Sequence, residues 1–483
     1  MFSFVLRSIC TIFADESPLE KWRGLPKVPW KSGACLYNCL IIMLKRKVEE
    51  YLRLWKANPD RKPLVIKGCR QCGKTYIVRK FADANYRYVV YVNFMEDPNY
   101  SLAFEGPKRI DDIVLNLSSI VGESKFVAKE TCIILDEIQE CPAARSALKF
   151  FKLDGRFDVI ATGSLLGIKG YGGHADAKKS IPVGYETIVT MYPLDFEEFL
   201  WANGISNELV DKLQSCLQGI DVVPLAIHSR MRQLLLQYVV VGGMPAVINV
   251  FKATHDMGMV LAEQRGIVSQ YEEDMVKYAD EQDKSRIREC FESIPRQLSK
   301  EYKKFQFSTI RKGAKSSQYV GSLQWIEDAG IIARCYNIST TELPLNGNAI
   351  NDCFKIYMVD TGLFVSMLED GTQYDILQGN LYGYKGAIFE NLIADMFTKM
   401  GRKLYYFRKE SGLEVDFVMR YEGECVLVEV KAKDGNAKST RTILSHPEKY
   451  HVKHAIKLGD YNIGSNGQLL TLPLYMGFLL RAT

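Results

Sequence analysis

One octapeptide, Gly68-Cys69-Arg70-Gln71-Cys72-Gly73-Lys74-Thr75, constrains this chain more than any other stretch. It fits G-x-x-x-x-G-K-[ST], a loop whose backbone N–H groups cradle phosphates. Its flanks agree. Pro63-Leu64-Val65-Ile66-Lys67 is an apolar run short enough for a buried parallel strand, and Tyr76 to Ala82 reads as a helix with one apolar face. A strand, loop and helix in that order turn the positive end of a helix dipole toward an anion. In that arrangement Lys74 reaches the β- and γ-phosphates of ATP, and the Thr75 hydroxyl ligates Mg²⁺. The strand and helix on either side set the loop apart from a chance Gly-rich turn.

A second signal follows about sixty residues on, where this fold requires one. Thr131-Cys132-Ile133-Ile134-Leu135-Asp136-Glu137 is an apolar strand ending in two acids. Asp136 at its tip is placed to hold Mg²⁺ through water opposite Thr75, and Glu137 to polarise the attacking water. A third strand, Phe157 to Ser164, ends in small polar residues. Ser164 or Thr162 there either touches the water or γ-phosphate or, equally well, caps the next helix.

The loop, Leu135-Asp136-Glu137-Ile138-Gln139 and Ala161-Thr162-Gly163-Ser164 together resemble a group of prokaryotic AAA-type ATPases. So do Met191-Tyr192-Pro193-Leu194-Asp195-Phe196-Glu197-Glu198-Phe199-Leu200, Gly242-Gly243-Met244-Pro245 and Lys355-Ile356-Tyr357-Met358-Val359-Asp360-Thr361-Gly362-Leu363. Those proteins carry a C-terminal domain of unknown function that looks like a restriction-type nuclease. The resemblance runs from about residue 43 to the end, and it implies a cytoplasmic protein that binds and hydrolyses ATP. Many members carry Gly-Arg after the third motif. This chain has Gly184-Tyr185, so the resemblance supplies no arginine for the γ-phosphate at that place. AAA-type sites commonly borrow an arginine from a neighbouring subunit, which makes a homo-oligomer an expectation. Arg145 and Arg156 are candidates, with nothing to choose between them.

At 483 residues the chain is too long for one core, and 47% hydrophobic with 25% charged residues is ordinary for a soluble globular protein. A net charge of +5 permits a basic patch without demanding nucleic acid. The twelve cysteines are scattered, so a reducing cytoplasm is expected rather than a disulfide framework. Cys69 and Cys72 have C-x-x-C spacing inside the phosphate loop. Zinc would need a second pair nearby, and a redox pair would clash with nucleotide binding, so they read as tolerated small residues. No run is long and apolar enough to span a membrane. Residues 1–42 lack secretory order and are expected to be a poorly ordered extension, with Met43 as the alternative start.

The expected architecture is α/β. An AAA-type core with a parallel sheet spans 43–192, opening on a helix from 43, and a helical lid spans 193–282. A winged-helix-like module spans 283–370, and an α/β nuclease-like domain 371–483. Gly242 to Pro245 reads as a helix–helix turn in the lid. In the third module the second helix begins near Ser308 and covers Lys312, and the third runs from Tyr319 to Ala329. Lys303, Lys304, Arg311, Lys312 and Lys315 give it a basic face, for DNA or merely solvated.

The C-terminal segment carries a second constellation. Glu390 lies on a helix, Asp416 on a strand from Glu414 to Met419, and Glu429-Val430-Lys431 on the next strand. This resembles the D…(D/E)-x-K pattern of restriction-type nucleases. Strand alternation puts Glu429 and Lys431 on one face. Asp416, Glu429 and Glu390 are then candidates for Mg²⁺, with Lys431 beside the attacking water. An edge strand with alternating charges is the plain alternative.

These observations point first to a Mg²⁺-dependent ATPase in which Lys74, Glu137 and Ser164 serve catalysis. Gly68 to Thr75 with Asp136 bind the nucleotide. A nucleotide-gated DNA switch with an inert tail and an ATP-dependent nuclease are the alternatives.

Overall fold

The computed structural model describes residues 43–122, 125–164, 184–278, 281–300, 304–380, 384–431 and 437–481. The expected N-terminal extension and Lys303 lie outside the described residues. The first half runs α1 (Lys47–Ala57), β1 (Leu64–Lys67), α2 (Lys74–Asn85), β2 (Tyr88–Asn93), α3 (Ile110–Ile120), β3 (Thr131–Asp136), α4 (Pro142–Asp154), β4 (Asp158–Gly163) and β5 (Thr187–Thr190). The five strands form one sheet in the order β2-β3-β4-β1-β5, and every pairing in it is parallel.

Alternation along the strands builds two cores. Leu64, Ile66, Cys132, Ile134 and Ile160 pack with Leu52 and Trp55 of α1 and Ile77, Val78 and Phe81 of α2. Val65, Ile133, Leu135, Val159 and Ala161 pack on the other face with Ile113 and Leu117 of α3 and Leu148 and Phe151 of α4. Because both faces are covered, the central strands β1, β3 and β4 are buried along nearly their whole length rather than amphipathic. Each fully buried Leu or Ile contributes about 2 kcal/mol. The first helix starts at Lys47, not at residue 43. Arg46 is extended (φ −126°, ψ 142°), and its N–H donates to Glu49 Oε1 at 3.1 Å.

A helical segment follows: α5 (Phe196–Ala202), α6 (Asn207–Gly219), α7 (Leu225–Val241), α8 (Pro245–Thr254) and α9 (Met257–Tyr278). Asp195 caps α5, accepting from Glu198 N at 2.9 Å while Glu198 accepts from Asp195 N at 3.1 Å. Gly242 to Pro245 is the turn between α7 and α8. It packs so tightly that a Cβ on Gly243 would stand 2.0 Å from the Leu194 carbonyl oxygen. Gly243 O accepts from Leu194 N at 2.7 Å, and Gly243 N donates to Asp360 Oδ2 at 2.7 Å.

Next come α10 (Glu281–Glu292), α11 (Ile294–Leu298), α12 (Phe307–Ile310), α13 (Ser316–Asp328), β6 (Ile332–Ile338), β7 (Ala349–Met358), α14 (Thr361–Ser366) and α15 (Thr372–Gln378). The helix expected to cover Lys312 is a single turn that stops earlier. Arg311 is extended (φ −154°, ψ 143°) and Gly313 is left-handed (φ 81°), so the backbone leaves the helix before Lys312.

The last part holds α16 (Lys385–Lys399), β8 (Leu404–Arg408), β9 (Glu414–Val415), β10 (Phe417–Tyr421), β11 (Glu424–Val430), α17 (Lys438–Leu444), α18 (Pro447–Tyr450), β12 (His454–Gly459), β13 (Gly464–Ser465) and β14 (Leu469–Pro473). The strand expected over Glu414 to Met419 is broken at Asp416. β9 pairs with β8, whereas β10 pairs with β11, so the chain changes sheets at that residue. The two sheets run β7-β6-β8-β9 and β10-β11-β12-β14-β13. β6 pairs with β8 in parallel, so a boundary drawn near residue 370 passes through a single sheet.

α16 ends against the first half. Lys399 Nζ pairs with Asp395 at 2.8 Å, donates to Leu194 O at 3.1 Å and to the Tyr238 hydroxyl at 2.9 Å, and is buried. Gly243→Ala forces the turn away from Leu194 and is expected to cost about 3 kcal/mol. A clear drop in the thermal midpoint measures it, and an unchanged midpoint contradicts the packing described.

Candidate nucleotide site

The site lies where the sheet's strands end. β3, β4 and β1 are neighbours, so Asp136, Ser164 and the loop after Lys67 converge at one edge. The loop must pass close to the chain leaving β5. A Cβ on Gly68 would lie 2.0 Å from Met191 O, so only glycine fits there. Gln71 takes a left-handed conformation (φ 63°) at the loop's outer turn. Lys74, the first residue of α2, is buried and donates from Nζ to Gly68 O at 2.9 Å and Cys69 O at 2.8 Å.

Asp136 is 2% exposed and collects three hydroxyls. Thr75 Oγ1 donates to its Oδ2 at 2.9 Å, Tyr91 OH to the same oxygen at 2.7 Å, and Thr162 Oγ1 to Oδ1. Burial first, and then the neighbouring carboxylate, raise the Tyr91 pKa above the ordinary tyrosine value, so this hydroxyl keeps its proton. The hydroxyl and carboxylate of Thr75 and Asp136 form an oxygen pair of the kind Mg²⁺ takes. Glu137 follows in a left-handed conformation (φ 53°) and accepts from Gln139 and, at 3.4 Å, from Ser164 Oγ. Thr162 therefore faces Asp136 and Ser164 faces Glu137.

Two further elements hold the loop, and neither carries a local sequence signature. Arg46 donates from Nη1 to Cys72 O at 2.9 Å, also reaches Tyr192 O at 2.6 Å, and pairs with buried Glu198 at 3.2 Å. α9 lies over the loop. Asp274 pairs with Arg70 at 2.6 Å, the Tyr271 hydroxyl donates to Arg70 O at 3.1 Å, and Gln270 meets Gln71. The two candidate arginines are engaged elsewhere. Arg145 pairs with Glu186 at 3.0 Å. Arg156 pairs with Asp154 at 2.8 Å and Asp111 at 2.7 Å; it precedes β4 and so sits at the end of that strand opposite Ser164.

One member of the C-terminal quartet, Glu390, is held by a lysine that sequence reasoning missed. Lys355 on β7 is 1% exposed and pairs with Glu390 at 3.2 Å and Glu414 at 2.8 Å. Tyr357, two residues on and on the same strand face, also donates to Glu390. Asp416 Oδ2 accepts from Val430 N at 2.8 Å. Glu429 pairs with Lys431 at 2.5 Å and accepts from Thr440 at 2.9 Å. Burial lowers the Lys431 pKa, but Glu429, Asp416 and Glu390 outweigh it and leave it above the ordinary lysine value. Glu390 and Glu429 thus pair with lysines and Asp416 accepts from a backbone N–H. Among the described residues no group of three His, Cys, Asp or Glu side chains is arranged to hold a metal ion. The alternation of Lys355 and Tyr357 was the available signal for the missed lysine.

Residues 60–200 match the model of an AAA domain. Residues 232–374 match one domain of unknown function (DUF8612), and residues 385–475 match another (DUF4143). No curated protein matches the chain. Among solved structures, the Walker-type ATPase PABY2304 of Pyrococcus abyssi is similar at 14% identity and a TM-score of 0.39, over 67% of this chain and 96% of that one. The Aeropyrum pernix ORC1 protein in complex with DNA is similar at 10% identity and a TM-score of 0.28, over 70% and 93%. PCH-2 of C. elegans is similar at 12% identity and a TM-score of 0.24, over 46% and 67%. The matched domain, the phosphate loop and the parallel five-stranded sheet fit a P-loop ATPase of AAA type. Among the described residues no helix is long and apolar enough to cross a membrane.

Arg46→Met leaves Glu198 buried without its cation and is expected to cost about 3 kcal/mol. A lower urea midpoint at an unchanged slope tests it.

Proposed function

We propose that this chain is a Mg²⁺-dependent ATPase whose nucleotide site is the Gly68–Thr75 loop. The single observation that carries the reading is the meeting of Thr75 Oγ1 with Asp136 at 2.9 Å, directly beside the loop's lysine. The loop's N–H groups and the N-terminus of α2 bind the phosphates, and Lys74 exchanges its two carbonyl partners for phosphate oxygens. Thr75 and Asp136 hold Mg²⁺, which supplies charge neutralisation at the β- and γ-phosphates when bound. Glu137 orients and polarises the attacking water, with Ser164 and Gln139 fixing its carboxylate. α9 is the lid element that closes on the loop through Arg70 and Gln71.

DNA enters as a regulator. Lys304, Arg311, Lys312 and Lys315 are all exposed around α12 and the start of α13. That supports phosphate-backbone contact by a winged-helix-like arrangement of α10, α12, α13 and the β6–β7 hairpin. The C-terminal segment is read as nuclease-like in fold and inert in cleavage: buried Lys355, on a strand of the other sheet, takes Glu390 and Glu414. An ATP-dependent nuclease would require plasmid nicking with Mg²⁺ that Asp416→Ala or Lys431→Ala abolishes.

Lys74→Ala is expected to lose nucleotide binding in equilibrium titration. Glu137→Gln keeps binding and loses about 100-fold or more in turnover. Normal turnover in Glu137→Gln removes Glu137 from its role. Retained binding in Lys74→Ala removes the loop from its own. Steady-state ATP turnover is expected to change on adding DNA and to lose that response as salt rises.

A further inference from the structure

We propose that Cys69 and Cys72 are a redox modification site: a reversible disulfide between them closes the phosphate loop to nucleotide. The inference deepens the reading of this loop as the nucleotide site and rests on it. Both thiols are free and buried, and they hydrogen-bond to each other across the turn made by Arg70 and Gln71. Cys72 Sγ also lies 3.5 Å from Met191 O. Cys72 stands just before Gly73, the N-cap of α2. Two cations hold the backbone carbonyls of the pair. Lys74 Nζ is held at Cys69 O at 2.8 Å, and Arg46 reaches Cys72 O at 2.9 Å. A cysteine at a helix N-terminus, beside lysine and arginine and in C-x-x-C spacing, has the surroundings of a reactive thiol.

The two cysteines differ as an attacking and a resolving pair should. The hydrogen bond from Cys69, with the charges of Lys74 and Arg46, outweighs burial and holds the Cys72 thiol well below the usual cysteine range. The hydrogen bond to Cys72 and burial push Cys69 up, so it keeps its proton. The oxidant is a small hydroperoxide, hydrogen peroxide being the simplest. It approaches through the outer turn of the loop, where Gln71 is exposed and Arg70 half-buried. The Cys72 thiolate attacks one peroxide oxygen, the O–O bond breaks and hydroxide leaves, giving a sulfenic acid. Cys69 sulfur then attacks Cys72 sulfur, the S–O bond breaks, and the departing hydroxide takes the Cys69 proton as water. Two thiols are oxidised by two electrons, and one peroxide is reduced to two waters. The bond brings the sulfurs from hydrogen-bond contact to about 2 Å. Cys69 and Cys72 are drawn together, and the backbone N–H groups between them turn away from the phosphates.

The full chain is reduced, treated with hydrogen peroxide and alkylated, and then divided between two readouts. Trypsin cuts after Arg70 and so leaves the two cysteines on separate peptides, Gly68–Arg70 and Gln71–Lys74, which only a disulfide joins. The joined pair is expected in the oxidised sample and absent after a thiol reductant. Titration with a fluorescent ATP analogue is expected to show affinity about tenfold or more weaker in the oxidised sample, restored by reduction. Absence of the joined peptides overturns the proposal. So does their presence with unchanged affinity. Failure of the reduced protein to bind the analogue at all overturns the nucleotide site instead, while the peptide readout still judges the disulfide. Cys69→Ser is expected to abolish the joined pair, and Cys132→Ser, buried in β3, to leave it intact.

Discussion

The structure turns on one short backbone stretch, Met191 to Asp195, just after β5. The ladder with β1 ends at Met191, so the polar groups beyond it must be satisfied from elsewhere. Met191 N donates to Lys67 O at 2.7 Å, at the root of the phosphate loop. Tyr192 O takes Arg46, which also holds the loop at Cys72. Leu194 O takes Tyr238 from α7 and Lys399 from α16, and Leu194 N finds the glycine turn at Gly243. Asp195 caps α5 and pairs with Lys47 of α1. Two glycines, Gly68 and Gly243, allow this stretch to approach the loop on one side and the turn on the other. The runs from 191, 242 and 355, far apart along the chain, meet here, since Asp360 accepts from Gly243 N.

The two acidic sites differ in how their charge is met. Asp136 is surrounded by neutral hydroxyls from Thr75, Tyr91 and Thr162, which stabilise a carboxylate without cancelling its charge. Such a site retains an attraction for a cation. At the C-terminal site, Glu390 and Glu414 share Lys355, and Glu429 has Lys431. Those carboxylates are compensated by ammonium groups, and removing one partner would leave an uncompensated buried charge. Buried carboxylates are thus met by neutral hydroxyls in one place and by ammonium groups in another.

The parallel sheet and its loop were legible because two signals with fixed spacing and fixed flanks reinforced each other. Apolar runs buried on both faces mark strands as well as any motif does. The quartet near the C-terminus was legible as a constellation, since alternation placed Glu429 and Lys431 together. What decides its chemistry was not. Lys355 comes from a strand of the neighbouring sheet, and only the topology carries it there. Arg46 was hidden for the same reason, since nothing adjacent in the sequence distinguishes it from the other lysines and arginines of that segment. The break at Asp416 was read as continuous strand because β9 and β10 are each short and apolar-alternating. Only pairing with different partners separates them. The short α12 reflects a backbone preference at Gly313 that competes with the helical pattern around it.

The pairing of β6 with β8 bears on how such a protein is inherited and handled. Two matched segments, 232–374 and 385–475, contribute strands to one sheet, so neither holds a finished set of hydrogen-bond partners by itself. A piece starting after residue 374 would bare the flank of β8 and strand Glu390 without its lysine. Shuffling that tail onto a different ATPase would therefore mean moving the preceding hairpin along with it, so the heritable block is larger than either segment suggests.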